Sequence, residues 1–192
     1  IWMLILSIKS DAEMYTTTFI FSPTLDNYKA VLLESDYLQY MLDSLIVAGG
    51  AVIVSVVAGV PAAYALARYN FKKKEDIAFQ ILSFKFAPEI LVVLPLFMIY
   101  QMLGIYDSYF GLIWVYQLIS MPLLIWVVRG YFEDISVEIE YAAQVDGYSG
   151  YQIFFKNLIP LIKPGLVSAA LLAFIFAWNC FTFPLMLGGT NV

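Results

Sequence analysis

The 192-residue sequence contains no histidine, one cysteine, and only 13% Asp, Glu, Lys and Arg. Without histidine, imidazole acid–base catalysis and His-ligated metal sites are excluded. The lone Cys180 excludes an internal disulfide. No Gly-x-x-x-x-Gly-Lys-Ser/Thr run occurs, so the chain lacks the loop that cradles ATP phosphates. In the 129–163 stretch the carboxylates Glu133, Asp134, Glu138, Glu140 and Asp146 cluster. A solvated face near helix ends accounts for them more simply than a metal or acid–base site. Charge is also missing over long distances: Ser44–Ala67, Ile90–Tyr106, Ser108–Val128 and Gly165–Val192 carry none.

What is present in its place is apolar. Hydrophobic residues make up 62% of the chain and the mean hydropathy is +0.82. Uncharged stretches of about 20 residues are long enough to cross a bilayer as helices. The expected fold is all-α, a polytopic membrane helix bundle. Residues 1–8 read as the end of a span and 9–43 as a polar connector. Residues 44–67, 77–103 and 108–128 read as spans, 129–163 as a polar loop and 164–189 as a further span. On this reading the chain is one transmembrane domain that lacks an initial and a final span. Ala51, Ser55, Gly59, Ala63 and Ala67 form a small-residue stripe on the first full span. Gly165, Ala169, Ala173 and Ala177 form another on the last. Such stripes let helices pack closely in lipid. Pro61, Pro88 and Pro95 predict irregular helices.

The net charge of −5 is misleading, because basic residues are sorted along the chain. Four fall between Arg68 and Asp76 and three between Arg129 and Lys163, against two in the Lys9–Asp43 connector. The positive-inside rule then puts 129–163 in the cytoplasm and the connector, with its six carboxylates, outside. Lys85 and Glu89, one turn apart within a span, are expensive at membrane depth and read as a mutually neutralising pair facing a partner or a cavity. Trp178 and Asn179, about 14 residues into a helix starting near Pro164, read as residues deep in the membrane.

The 129–163 loop has its own local chemistry. Ser136 can cap a first helix, and Gly147 suits the left-handed position that closes it. Ser149 and Gln152 form a capping box for a second helix expected to end before Pro160. Ala142, Ala143, Asp146 and Gly147 give the first helix a small-residue surface that another protein's backbone could approach.

The run Ala142-Ala143-x-x-Asp146-Gly147, with Phe154, Ile159-Pro160 and Pro164, resembles the cytoplasmic EAA loop of ABC importer permeases. Tyr141 stands at the motif's Glu position, beside Glu140. Further segments resemble the carbohydrate-importing members, specifically the shorter of two paired permeases. These are Asp43-Ser44-Leu45, Ala62-Ala63-Tyr64-Ala65-Leu66-Ala67-Arg68, Leu94-Pro95-Leu96-Phe97, Asp107-Ser108-Tyr109-Phe110-Gly111-Leu112-Ile113 and Trp178-Asn179-x-Phe181-x-x-Pro184-Leu185. They occur in the expected order over nearly the whole chain.

The resemblance implies the permease fold, with about six spans, of which the first and last are incomplete or absent here. It implies a non-enzymatic subunit of an ATP-driven sugar importer in a prokaryotic inner membrane. Its partners would be a second permease, two ATP-binding subunits that hold ATP and Mg²⁺, an extracytoplasmic solute-binding protein and the lipid bilayer, with no nucleic acid. This chain itself would carry no cofactor, no metal and no catalytic residue. Glu140, Tyr141, Ala142, Ala143, Asp146 and Gly147 would dock on the ATPase, and Lys85, Glu89, Trp178 and Asn179 would line the path. Two alternatives stay open: a secondary transporter or channel using Lys85 and Glu89, and an ABC permease for another class of solute.

Overall fold

The computed structural model describes residues 1–189. Its contacts divide into two units, Ile1–Ser44 and the remainder from Leu45. The end of the last uncharged run, residues 190–192, lies outside the described residues.

The first unit holds α1 (Trp2–Ser7) and α2 (Asp26–Leu33). The segment between them is organised by Lys9, whose side chain is fully buried. Its ammonium donates to the carbonyls of Thr16 (2.9 Å) and Thr18 (2.8 Å) and lies over the rings of Trp2 and Phe21. A buried cation requires such compensation. The connector is therefore an ordered structure, tied further by Asn27 Nδ2, which donates to the carbonyls of Ser7 and Lys9.

α3 (Tyr37–Arg68) begins in the first unit and, from Leu45 on, builds the second together with a 29-residue helix, α9 (Gly150–Trp178); each is long and apolar enough to cross a membrane. At ~1.5 Å per residue, α3 is ~48 Å long and outreaches a ~30 Å hydrocarbon core. It is one helix through Pro61. Between these two come α4 (Lys74–Ser83), α5 (Glu89–Leu103), α6 (Tyr109–Val115), α7 (Gln117–Asp134) and α8 (Val137–Val145); α10 (Thr182–Leu187) closes the described chain.

Both intermediate spans differ from single straight helices. The helical stretch Lys74–Phe86 meets α5 at 90°. The break falls at Ala87 and Pro88, both extended in backbone, because the residue before a proline is steered out of the helical region. α6 meets α7 at 44°. Gln117 holds that joint: its amide donates to Ile113 O (2.9 Å) and Ala51 O (3.1 Å), and its oxygen accepts from Ser55 Oγ (2.7 Å). If each bent pair is one span, the described residues contain four.

Both small-residue stripes face inward. Ala51, Ser55 and Ala63 on α3, and Ala169, Ala173 and Ala177 on α9, are buried. Gly59 lets α3 approach Leu124 and Ile125 of α7. Close approach substitutes for the hydrophobic driving force that lipid removes. α7 is consequently the central helix: it packs along α9 and carries the buried Leu124, Val128 and Phe132.

Gly111 at the start of α6 has no room for a side chain, since a Cβ there would lie 2.5 Å from the carbonyl oxygen of Ile105. That oxygen also accepts from Ser108 Oγ (2.6 Å), and the Gly111 carbonyl accepts from Tyr100 OH (3.0 Å). Gly111→Ala should cost about 1–3 kcal/mol by forcing the backbone turn apart. A fall in the denaturation midpoint of the purified protein checks this, and an unchanged midpoint would contradict it.

The polar loop also differs from its expected limits. α7 continues to Asp134, so Arg129 lies inside it. The second loop helix does not end before Pro160. It starts at Gly150 and continues as α9 through Pro160 and Pro164 to Trp178. A π-helical segment, Ile153–Leu158, precedes Pro160. Its wider turn redirects the carbonyls that the proline ring would otherwise strike and that its missing N–H cannot bond. The last span and the second helix of the loop are one continuous helix.

Candidate functional site

Residues 135–152 put a short amphipathic helix at the foot of α9. Ser136 caps α8, its hydroxyl accepting from the Glu138 N–H (3.3 Å). Gly147 closes α8 with φ +85°, a conformation glycine adopts without strain. Ser149 and Gln152 then start α9 with the reciprocal bonds of a capping box. These three features follow the sequence expectation, and together they fix α8 at an angle to α9.

α8 has two faces of different character. Glu140 and Ala143 turn inward and are buried. Ala143 packs into the cluster of Leu66, Val128, Phe132 and Ile153. Glu140 pairs with Arg68 at the end of α3: Arg68 Nε donates to its Oε1, and Tyr64 OH donates to its Oε2 (2.8 Å). The Arg68 guanidinium also donates to the Ile135 carbonyl (2.8 Å). The two charged side chains are 11% and 10% exposed, so this pair is largely removed from water. Tyr64 stacks edge-on against Phe132 and Phe154, joining α3, α7 and α9 beneath α8.

The outward face carries Tyr141, Ala142, Val145, Asp146 and Gly147. Val145 is 87% exposed and was missed by the sequence reading; its spacing of four from Tyr141 was the available signal. Glu140 and Ala143, expected on the docking surface, instead attach the helix to its own bundle. The small pair Ala142-Ala143 is divided: one residue faces out and the other packs in.

A second anchor lies close by in the sequence order. Arg129 donates to Glu75 of α4 (2.6 Å) and to Glu133 one turn on (2.7 Å).

The path candidates are distributed differently from the expectation. Lys85 and Glu89 are not one turn apart on a helix; the Ala87–Pro88 break separates them. Among the described residues no ion pair joins them. Lys85 Nζ sits 3.9 Å from the centre of the Phe176 ring, and Glu89 Oε2 lies 4.0 Å from Cys180 Sγ. Trp178 is the last residue of α9 and not its middle, and Asn179 caps the end, donating from Nδ2 to the Ile175 carbonyl (2.7 Å). These two border a shallow hollow with Leu45, Phe174 and Ile175. Trp178 stacks on Phe174.

Long apolar helices, small-residue stripes at their contacts and a broken span define a multi-pass helical membrane protein. Residues 55–192 match the family described as "binding-protein-dependent transport system inner membrane component", and the chain belongs to that family, the permease components of ABC transporters. It is 35% identical to the trehalose transport system permease protein SugB of Mycobacterium tuberculosis, over all of this chain and 70% of that protein. It is 32% identical to the trehalose/maltose transport system permease protein MalG of Thermococcus litoralis, over 97% of this chain and 68% of that one. Among solved structures, a bacterial ABC transporter involved in the import of the acidic polysaccharide alginate superposes with a TM-score of 0.81. It is 29% identical, covering all of this chain and 68% of the other.

Proposed function

We propose that this chain is one of two permease subunits of an ATP-driven importer for a sugar, and that α8 is its docking helix for a separate ATP-hydrolysing subunit on the cytoplasmic side. Two copies of that subunit would hold ATP and Mg²⁺, and an extracytoplasmic binding protein would deliver the sugar. The relatives' trehalose and maltose specificities and the alginate importer's fold support the substrate class.

The observation that carries the docking assignment is the two-faced α8. Its exposed surface joins the small Ala142 and Gly147 to the apolar Tyr141 and Val145, with Asp146 at its end, and no other described residue buries it. Its buried face is tied by Glu140 to Arg68 and Tyr64 of α3. α8 is also joined to α9 through the Gly147 turn and the Ser149 cap. A force applied to α8 when the ATPase pair closes would therefore reach two spans at once. The permease would convert closure into alternating access by moving α3 and α9 relative to their neighbours. Trp178 and Asn179, at the far end of α9, would border the route.

Ala142→Leu enlarges the exposed face without touching the Glu140 anchor. It should abolish co-purification of the ATPase subunit, or leave ATP hydrolysis running without uptake, in a complex whose two permeases still assemble. Normal docking together with normal uptake would remove α8 as the docking helix.

A further inference from the structure

The break between α4 and α5 borders a cavity of about 460 Å³, within the range of small-molecule sites. Phe84, Lys85 and Glu89 line it from the broken span, Ile119 from α7, Phe176 from α9 and Phe183 from α10. Irregular backbone at membrane depth is tolerated where it is packed in protein or lines a cavity, and transporters place substrates at discontinuous helices. The two charged groups here do not satisfy each other. The Lys85 ammonium lies over the Phe176 face, and the Glu89 carboxylate faces the weak donor Cys180.

We propose that this cavity is a contact subsite for a neutral, hydroxyl-rich sugar ring, packed against the exposed Phe84 and Phe176 rings, with Lys85 turning from Phe176 to donate to one hydroxyl and Glu89 accepting from another. The assignment rests on the sugar-importer reading above. Three features of the cavity fit this ligand. Aromatic faces match the C–H faces of a pyranose. A fixed donor and a fixed acceptor match adjacent hydroxyls, each of which both donates and accepts. One positive and one negative group leave no net charge, so an anionic sugar would gain Lys85 at the cost of meeting Glu89. The site lies at the hinge of the bent span, where an occupant would contact both of its halves.

The test uses the complete transporter with its binding protein, reconstituted in vesicles. Ala87→Cys places a thiol at the cavity wall, and its alkylation is read by mass on its own peptide, separately from Cys180. Maltose and trehalose are the neutral probes and lactobionate the acidic one. The expected result is at least fivefold slower alkylation with the transported neutral disaccharide and no protection by lactobionate. Adding Lys85→Met or Glu89→Gln should remove the protection in a complex that still elutes intact. A transporter that takes up a neutral sugar but shows no protection overturns the subsite and leaves the importer reading standing. A thiol that never reacts, because the second permease fills the cavity, also overturns it. Equal or stronger protection by lactobionate contradicts the neutral specificity. ATP-dependent uptake of lactobionate but of neither neutral sugar overturns the neutral subsite and leaves the importer reading standing.

Discussion

Glu140→Ala is expected to destabilise the protein by ~3–5 kcal/mol, because it leaves the Arg68 guanidinium buried without its partner. Arg68 would keep only the Ile135 carbonyl, and Tyr64 OH would lose its acceptor. The loss should be local before it is global: α8 should become protease-sensitive and exchange its amide protons faster, while α7 and α9 stay protected. Glu140→Gln preserves an acceptor for Tyr64 and should fall between the two. Removing both charges with Arg68→Met and Glu140→Leu should cost less than Glu140→Ala, since no ion is stranded. In the assembled transporter the same single change should uncouple ATP hydrolysis from uptake. A Glu140→Ala protein with unchanged unfolding and unchanged α8 exchange would contradict the burial of this pair.

The second large effect is expected at Gly165. A Cβ there would overlap the ring of Tyr131 on α7, at three of its carbons. Tyr131 is partly exposed and can turn aside from a single methyl group, so Gly165→Ala should be tolerated in part. Gly165→Leu cannot be accommodated in this way. It should separate α9 from α7 along its most extensive contact, at a cost of about 1–3 kcal/mol or more, and lower the yield of folded protein. Leu171→Ala is the control on the same helix. Leu171 faces outward, and its truncation should leave the unfolding midpoint nearly unchanged. Equal effects from Gly165→Leu and Leu171→Ala would mean that the small-residue stripe does not set the α7–α9 distance.

Much of this architecture is legible in composition and spacing. The two long helices follow from uncharged runs, and their inward faces from residues of small volume repeating every fourth position. The caps of α8 and α9 follow from Ser136, Gly147 and the Ser149–Gln152 box, because capping is short-range chemistry. What could not be read is tertiary in origin. Pro160 ordinarily ends a helix, and only the wider turn before it, stabilised by packing of Ile153 and Leu158, carries α9 through. Lys85 and Glu89 have the spacing of a helical pair, but Pro88 between them breaks the helix and turns each toward an aromatic or sulfur neighbour. Glu140 lies beside the motif position and is distinguished from Glu138 only by its partner 72 residues earlier. No local pattern supplies that partner.

The identity of the energy source tests the account most directly. The chain, co-expressed with its partner permease, ATPase and binding protein, is reconstituted in vesicles, and uptake of labelled trehalose or maltose is followed with time. The account predicts uptake that requires ATP and the binding protein, stops with vanadate and continues when an uncoupler collapses the proton gradient. Uptake that persists under vanadate and stops with the uncoupler would contradict it, and would return Lys85 and Glu89 to ion coupling in a secondary transporter.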